Sequence, residues 1–320
     1  MSEAGYHYLV QARTGRRWFD SDLAPTQNAG LAFSRQEIHR MQPDQFSDIT
    51  YVRDSAGIVT LTLNTPQRKN ALSGLTFHEI WWAAEHFKSD EDAHAMIITG
   101  APDPDSDDAT REAFSSGGYF SPDAFEGVPE AVMAEIDLSD IAQKKTVLQL
   151  FQCDKPIFAA VNGLAIGGAV TLVLAVADQV YMSEHAWMQL PFAKLGIAAE
   201  LGSTFLLPRV LGFQKAKEVF FYPERIAAAQ AVELGLAGKV LPHAELLDYT
   251  RERALQLIPP RGAGLAIREM KKAMHAPHVE ALSEALDREN TALNTLFRSK
   301  DFTEGLSARM ERRDAVFIGQ

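Results

Sequence analysis

Two glycine-rich segments hold the residues best suited to chemistry in this chain. Phe114-Ser115-Ser116-Gly117-Gly118 follows an apolar run ending at Gly100, across an acidic loop, and Asn162-Gly163-Leu164-Ala165-Ile166-Gly167-Gly168-Ala169 joins one apolar run to another. Glycine lets a backbone N–H turn out of a ladder and lets a ligand approach closely. A helix N-terminus aims further unpaired N–H groups the same way. Two such donors meeting at one point make an oxyanion hole, where loss of one donor costs about 10²–10³ in rate. Taken singly, each segment reads as a turn; the argument rests on their occurring together.

Other chemistries lack their usual residues. There is no Gly-x-Gly-x-x-Gly after a strand, no Walker loop, no Gly-x-Ser-x-Gly elbow and no His-Glu-x-x-His, since His78-Glu79 runs on into Trp81-Trp82. Asp103-Pro104-Asp105-Ser106-Asp107-Asp108 opens like a calcium loop. Asp108, however, stands where the sharp turn needs glycine, and Phe114 where a bidentate glutamate belongs, so a solvated acidic loop is expected. His275-Ala276-Pro277-His278 carries a proline between its imidazoles and is read as a surface turn, not a metal site. A single cysteine, Cys153, excludes a disulfide framework and a cysteine-based zinc site.

The elements that must position the glycines follow from periodicity. Ile49-Thr50-Tyr51-Val52 and Ile58-Val59-Thr60-Leu61-Thr62-Leu63 flank Ala56-Gly57 and predict a hairpin. A helix is predicted from about Ser73 to Phe87, strands at 95–100, 157–161, 178–183 and 239–241, and helical patterns between them, so the fold class is α/β. Ile157 to Ala177 is apolar except for Asn162 and Thr171 and is long enough to span a membrane. Pro156 sets its start and Asn162-Gly163 puts a turn in its middle, so a buried strand, a turn and a buried helix over about 166–176 are expected instead. Farther on, Pro223 precedes a helical Ile226–Val232 with Gly235 as its C-cap, and Pro242 begins a helix over 242–257. Leu282, Leu286, Leu293 and Leu296 stripe a helix over about 279–297, which needs a partner surface. The expected organisation is an N-terminal extension over 1–48, a core over 49–250 and a C-terminal helical region over 251–320.

The chain has 320 residues, 46% apolar and 23% charged, an ordinary globular composition, and its net charge of −11 argues against a nucleic-acid binder with a basic surface. Nothing after Met1 resembles a secretory h-region, Arg13, Arg16 and Arg17 are followed closely by Asp20 and Asp22, and Phe317-Ile318-Gly319-Gln320 is not a Ser-Lys-Leu address. A cytoplasmic protein bound to neither nucleic acid nor membrane is expected.

The ordered set of motifs resembles the crotonase family, the enoyl-CoA hydratase/isomerase superfamily, from about Ile49 to Gly319. Pro66-Gln67-Arg68-Lys69-Asn70-Ala71-Leu72-Ser73 is similar to the family's early Pro-x-x-x-Asn-Ala-Leu segment beside CoA. Phe114 to Gly118, and Lys155-Pro156 through Gly168, are similar to its two oxyanion loops; Ser299 to Gly305 and Glu311 to Phe317 are similar to its C-terminal signature. The resemblance implies a crotonase-like ββα superhelix core with a C-terminal helical trimerisation region, and a homotrimer or dimer of trimers. It implies an acyl-CoA thioester as partner, with CoA arriving as part of the substrate and no metal or other cofactor. It also implies that the N–H groups of Gly118 and Gly168 hold the thioester oxygen as it becomes an enolate, and that Arg68, Lys69, Ala71 and Arg312 lie against CoA.

Reactions in this family differ while the thioester grip is shared. The two glutamates of its hydratases would fall at Thr171 and Phe192, neither of which exchanges a proton near neutral pH, so ordinary hydration is disfavoured. Pro191-Phe192-Ala193-Lys194-Leu195-Gly196-Ile197-Ala198-Ala199-Glu200 resembles instead the peroxisomal-type Δ3,Δ2-enoyl-CoA isomerases, whose catalytic glutamate lies at the Glu200 position. One carboxylate can remove a C2 proton and return one at C4, and apolar Ile197, Ala198, Ala199 and Leu201 would raise its proton affinity by burying it. Leu201 replaces a glycine common after this glutamate, and Tyr119 replaces a frequent aspartate. The expected function is therefore Δ3-to-Δ2 enoyl-CoA isomerisation in fatty acid metabolism. Another reaction of the family on acyl-CoA (hydration, hydrolysis, dehalogenation or carbon–carbon cleavage), some of whose members use an acid near the Glu200 position as a nucleophile, and a non-catalytic CoA-binding scaffold are the alternatives. Outside the resemblance, Glu200 reads as a helix-N-terminal carboxylate.

Overall fold

A hairpin opens the computed structural model, which describes residues 40–121 and 123–320; residues 1–39, with Arg13, Arg16 and Arg17, lie outside the described residues. Strands β1 (Ile49–Arg53) and β2 (Ile58–Leu63) pair antiparallel as expected. Helix α1 (Gly74–Ser89) follows on the N-cap Ser73, whose hydroxyl accepts the Thr76 N–H at 3.1 Å. With β3 (Ala95–Gly100), β5 (Ile157–Val161), β7 (Gln179–Ser183) and β10 (Lys239–Leu241), they form a sheet ordered β1-β2-β3-β5-β7-β10, parallel from β2 onward. Both β3 and β5 are buried along their whole length, which explains their unbroken apolar runs. Along β5 the faces alternate: Ile157, Ala159 and Val161 enter the main core, Phe158 and Ala160 a smaller cluster behind the sheet.

Between these strands the chain builds a second sheet that periodicity does not reveal. β4 (Ala113–Ser115), β6 (Leu164–Ile166) and β8 (Trp187–Gln189) pair in parallel, and β9 (Ile226–Ala227) adds antiparallel to β8. Each pass therefore runs from a strand of the large sheet to a strand of the small one, then to helix. This corrects the expected single turn between strand and helix over 157–176: β6 intervenes, and α4 (Gly168–Val176) begins two residues later than expected. Gly163 makes the corner, because a Cβ there would lie 2.2 Å from the Glu112 carbonyl oxygen.

The other helices are α2 (Glu130–Met133), α3 (Lys144–Phe151), α5 (Ser203–Leu211), α6 (Phe213–Phe221), α7 (Ala228–Glu233), α8 (Leu246–Leu255), α9 (Gly264–His275), α10 (Val279–Leu296) and α11 (Lys300–Glu311). The expected core limit at residue 250 falls inside α8, which covers the far face of the large sheet with Leu246, Ala254 and the following Ile258. Lys155, just ahead of β5, caps α1 by donating to the Phe87 and Asp90 carbonyls at 2.6 and 2.7 Å. The leucine stripe finds its partner inside the chain: Leu282, Leu286 and Leu293 are fully buried on α10, which packs against α3 and α5. It therefore gives no reason for assembly. The His275–His278 run is not a free surface turn but a helix junction. His275 ends α9 stacked on Phe151, its Nδ1 2.7 Å from the Phe151 carbonyl oxygen. Among the described residues, no helix is long and apolar enough to cross a membrane.

Candidate active site

Three segments leave the small sheet toward one place. Beyond β4, Gly117 takes a left-handed φ of 82° and donates its N–H to Ser115 Oγ at 3.1 Å. The Asn70–Leu72 segment runs beside it: the Leu72 N–H donates to Gly117 O at 2.8 Å and the Tyr119 N–H to Leu72 O at 2.9 Å. The intervening Gly118 N–H has no acceptor among the described residues. Beyond β6, the Gly167 N–H donates to Gln189 O at 2.8 Å. Gly168 then opens α4, where a first-turn N–H has no carbonyl within the helix; it too lacks an acceptor among the described residues. Beyond β8, a single turn over 193–195 and Gly196 lead the chain to Glu200.

These segments meet within the reach of one side chain. A Cβ on Gly168 would lie 2.9 Å from Glu200 Oε1, 3.7 Å from Leu72 Cδ1 and 3.8 Å from the Gly118 nitrogen. One on Gly117 would lie 3.4 Å from the Gly168 nitrogen and 2.3 Å from Ile166 O, a distance only glycine tolerates. Gly118, Gly168 and Glu200 are thus brought together.

Glu200 sits among buried Ile197, Ala199 and Leu201. Its carboxyl lies deep in the protein yet keeps partial solvent access, and it has no hydrogen-bond partner among the described residues. Burial pushes it up to about 8, and repulsion from Glu289 acts in the same direction. A carboxyl of that proton affinity beside two free N–H groups can exchange a proton while the donors hold charge on an oxygen. Thr171 is fully buried with its hydroxyl 3.4 Å from Gly167 O, and Phe192 packs toward Phe220; neither brings an acid to the site.

The residues expected against CoA differ in their surroundings. Arg68 is already engaged, its Nη2 paired with Asp48 at 2.5 Å and its guanidinium 4.6 Å from the centre of the Tyr119 ring. Asp48 also accepts the Ser73 and Thr76 hydroxyls, so this pair ties the early segment to the start of α1. Lys69 is exposed and reaches the Arg111 carbonyl at 3.2 Å, while Ala71 is buried. Arg312 is exposed at the end of α11 and makes no hydrogen bond or ion pair through its side chain among the described residues.

Asn70 belongs to the segment expected beside CoA, and its own bonds all turn inside the protein. Buried and left-handed at φ 53°, it accepts the Thr65 N–H at 3.0 Å and donates to the Ala101 and Ala113 carbonyls at 2.9 and 2.7 Å. It joins the early segment to the strands that carry Gly117. Asn70→Ala removes all three bonds and leaves two buried carbonyls short, for an expected loss of about 2–4 kcal/mol. Urea unfolding of the variant beside wild type checks this. A second residue also escapes notice. Glu289 lies on the apolar stripe of α10 between Leu286 and Leu293, and a charge on such a stripe is the signal that finds it. A polar groove of about 1050 Å³ between α3 and α10, lined by Asp140, Lys144, Asp287 and Asn290 among others, does not include the three converging residues.

Residues 53–320 match the family model described as enoyl-CoA hydratase/isomerase. A probable enoyl-CoA hydratase of Rhodobacter capsulatus is 32% identical over 268 residues, 83% of this chain and 96% of that protein. The carnitinyl-CoA dehydratase of Escherichia coli K12 is 32% identical over 278 residues, 86% of this chain and 100% of its own length. The crystal structure of carnitinyl-CoA hydratase from Mycobacterium avium superposes with a TM-score of 0.71 at 25% identity, covering 85% of this chain and 99% of that one.

Proposed function

Because the chain belongs to the enoyl-CoA hydratase/isomerase family, and so is a crotonase-fold enzyme of acyl-CoA thioesters, we propose that it moves the double bond of a 3-enoyl-CoA to C2. The observation that carries this reading is the lone Glu200 carboxyl beside the free Gly118 and Gly168 N–H groups, with Thr171 and Phe192 where hydratases of the family would hold their glutamates. The ionised Glu200 takes a proton from C2. The electron pair passes into the thioester carbonyl, whose oxygen becomes an enolate held by the two N–H donors at the positive end of α4. The enolate then collapses, the double bond forms between C2 and C3, and Glu200 returns the proton to C4. Every atom is conserved and no water enters. CoA comes as part of the substrate, and these steps call on no further group.

Hydratase and dehydratase are the names its relatives carry, and they favour a second reading: addition or loss of water across C2 and C3 with Glu200 as the acid–base group. Incubating the enzyme with 3-enoyl-, 2-enoyl- and 3-hydroxyacyl-CoA in ¹⁸O-labelled water separates the two. A 2-enoyl product formed from 3-enoyl-CoA supports isomerisation; label entering C3 of 2-enoyl-CoA, with no 2-enoyl product from 3-enoyl-CoA, supports hydration and overturns it. A chain that binds acyl-CoA and turns over none of the three is a scaffold.

Lys69 and Arg312, the basic residues with charge to spare, are proposed to meet the CoA phosphates, while Arg68 holds the loop. Replacing either by alanine is expected to raise KM about 3–10-fold with kcat little changed, the pattern of lost uniform binding. Steady-state kinetics check it. The trimer, or dimer of trimers, implied by the family is checked by light scattering.

A further inference from the structure

Directly after Glu200 the backbone makes an unusual turn. Leu201 and Gly202 are both left-handed, at φ 54° and 74°, although Leu201 has a side chain and is fully buried. For a β-carbon residue that conformation costs free energy and persists only when neighbours hold it. The helix that follows, α5, has Gly202 as its N-cap and so no capping side chain of its own. Glu289 of α10 supplies the cap across the interior. Its Oε2 accepts the Gly202 N–H at 2.7 Å, and its Oε1 accepts the Thr204 N–H at 2.9 Å and the Thr204 hydroxyl at 2.6 Å. The Glu289 residue is buried, 3% exposed, on the same helix face as Leu286 and Leu293.

We propose that Glu289 is the positioning residue for Glu200: by locking Gly202 and Thr204 from the opposite helix, it sets where the Glu200 carboxyl points. The inference rests on Glu200 being the acid–base group. Around the Gly168 position, where Glu200 Oε1 comes closest, the other neighbours are Leu72 and the Gly118 nitrogen, and none of these three residues carries a charge. After burial, repulsion from Glu289 acts on Glu200; burial also pushes the Glu289 carboxyl up, against its bonds to Thr204 and Gly202 and the nearby Arg288.

Two substitutions separate lock from charge. Glu289→Gln keeps one acceptor oxygen, removes the charge and turns an amide NH₂ toward a backbone N–H. It is expected to lower kcat about 10–100-fold with KM within about threefold, and to move the acidic limb of the kcat/KM profile down by about one pH unit. Thr204→Val removes one bond and leaves the charge, so kcat falls less and the limb stays in place. In a Glu200→Gln background, Glu289→Gln is expected to add no further loss of turnover. If Glu289→Gln lowers only the melting temperature, leaving kcat and the pH limb unchanged, Glu289 is merely structural and the proposal fails while Glu200 keeps its role. If Glu200→Gln itself leaves turnover intact, the acid–base reading fails first. Should Glu289→Gln not fold, an unchanged kcat in Thr204→Val overturns the lock.

Discussion

Glu200→Gln is expected to lower turnover of 3-enoyl-CoA by about 10²–10⁴-fold while leaving CoA binding intact, because glutamine fills the same space and cannot carry the proton. Wild-type kcat/KM should rise with pH through about 8, since in the proposed mechanism the carboxylate is the form that takes the C2 proton. The same substitution should change stability in a pH-dependent way. Glu200 binds its proton more tightly folded than unfolded, so wild type is unpenalised below pH ~4.5, loses stability as pH rises from ~4.5 to about 8, and bears the full penalty above that. The Gln variant escapes it. Its gain over wild type should be near zero at pH 4 and about 2–5 kcal/mol at pH 9, the lower end reflecting the partial solvent access of the carboxyl. Thermal melts at the two pH values, with calorimetric CoA titration, check both halves. A variant as fast as wild type would remove Glu200 from the mechanism.

Gly168→Ala should separate fold from function at the neighbouring position. Its φ is not left-handed, and alanine suits the first turn of a helix, so the chain should fold with stability within about 1 kcal/mol of wild type. The added methyl would lie 2.9 Å from Glu200 Oε1, a flexible side-chain end that must move away, and 3.8 Å from the Gly118 nitrogen, where a substrate oxygen would sit. A displaced base and an obstructed donor pair together should cost at least about 10²-fold in kcat. Gly117→Ala is the contrast. There the methyl meets a backbone carbonyl at 2.3 Å and φ is 82°, so folding itself should suffer. Melting temperature and kcat, measured on both variants, should thus fall together in one and apart in the other.

Local signals made part of this legible from the amino-acid sequence. The hairpin, α1 on its Ser73 cap and the buried runs of β3 and β5 each announce themselves by composition or cap chemistry. The two glycine segments carry weight only as a pair, and around the Gly168 position the Gly118 nitrogen and the Glu200 carboxyl both come close. What escaped depends on partners distant in sequence. The small sheet has strands of two or three residues, too short for alternation to show, and it exists only through pairing across the chain. Arg68 looks like a free cation until Asp48, 20 positions earlier, neutralises it. Glu289 reaches Gly202 across 87 positions, and nothing near either residue foretells the bond. The α10 leucines signalled a need for burial without saying whether a neighbouring chain or this one would meet it.

The small sheet has three parallel exits, and each contributes one group: the end of β4 a free N–H, the end of β6 a second, and the stretch after β8 a carboxyl. The first two are tied down by main chain, through Leu72 and Gln189, independently of what residue occupies position 200. On the proposed reading, grip and reactivity are therefore separate inheritances in this scaffold. A lineage can rewrite the ten residues after Pro191, exchanging one proton carrier for another or for none, without rebuilding the cradle.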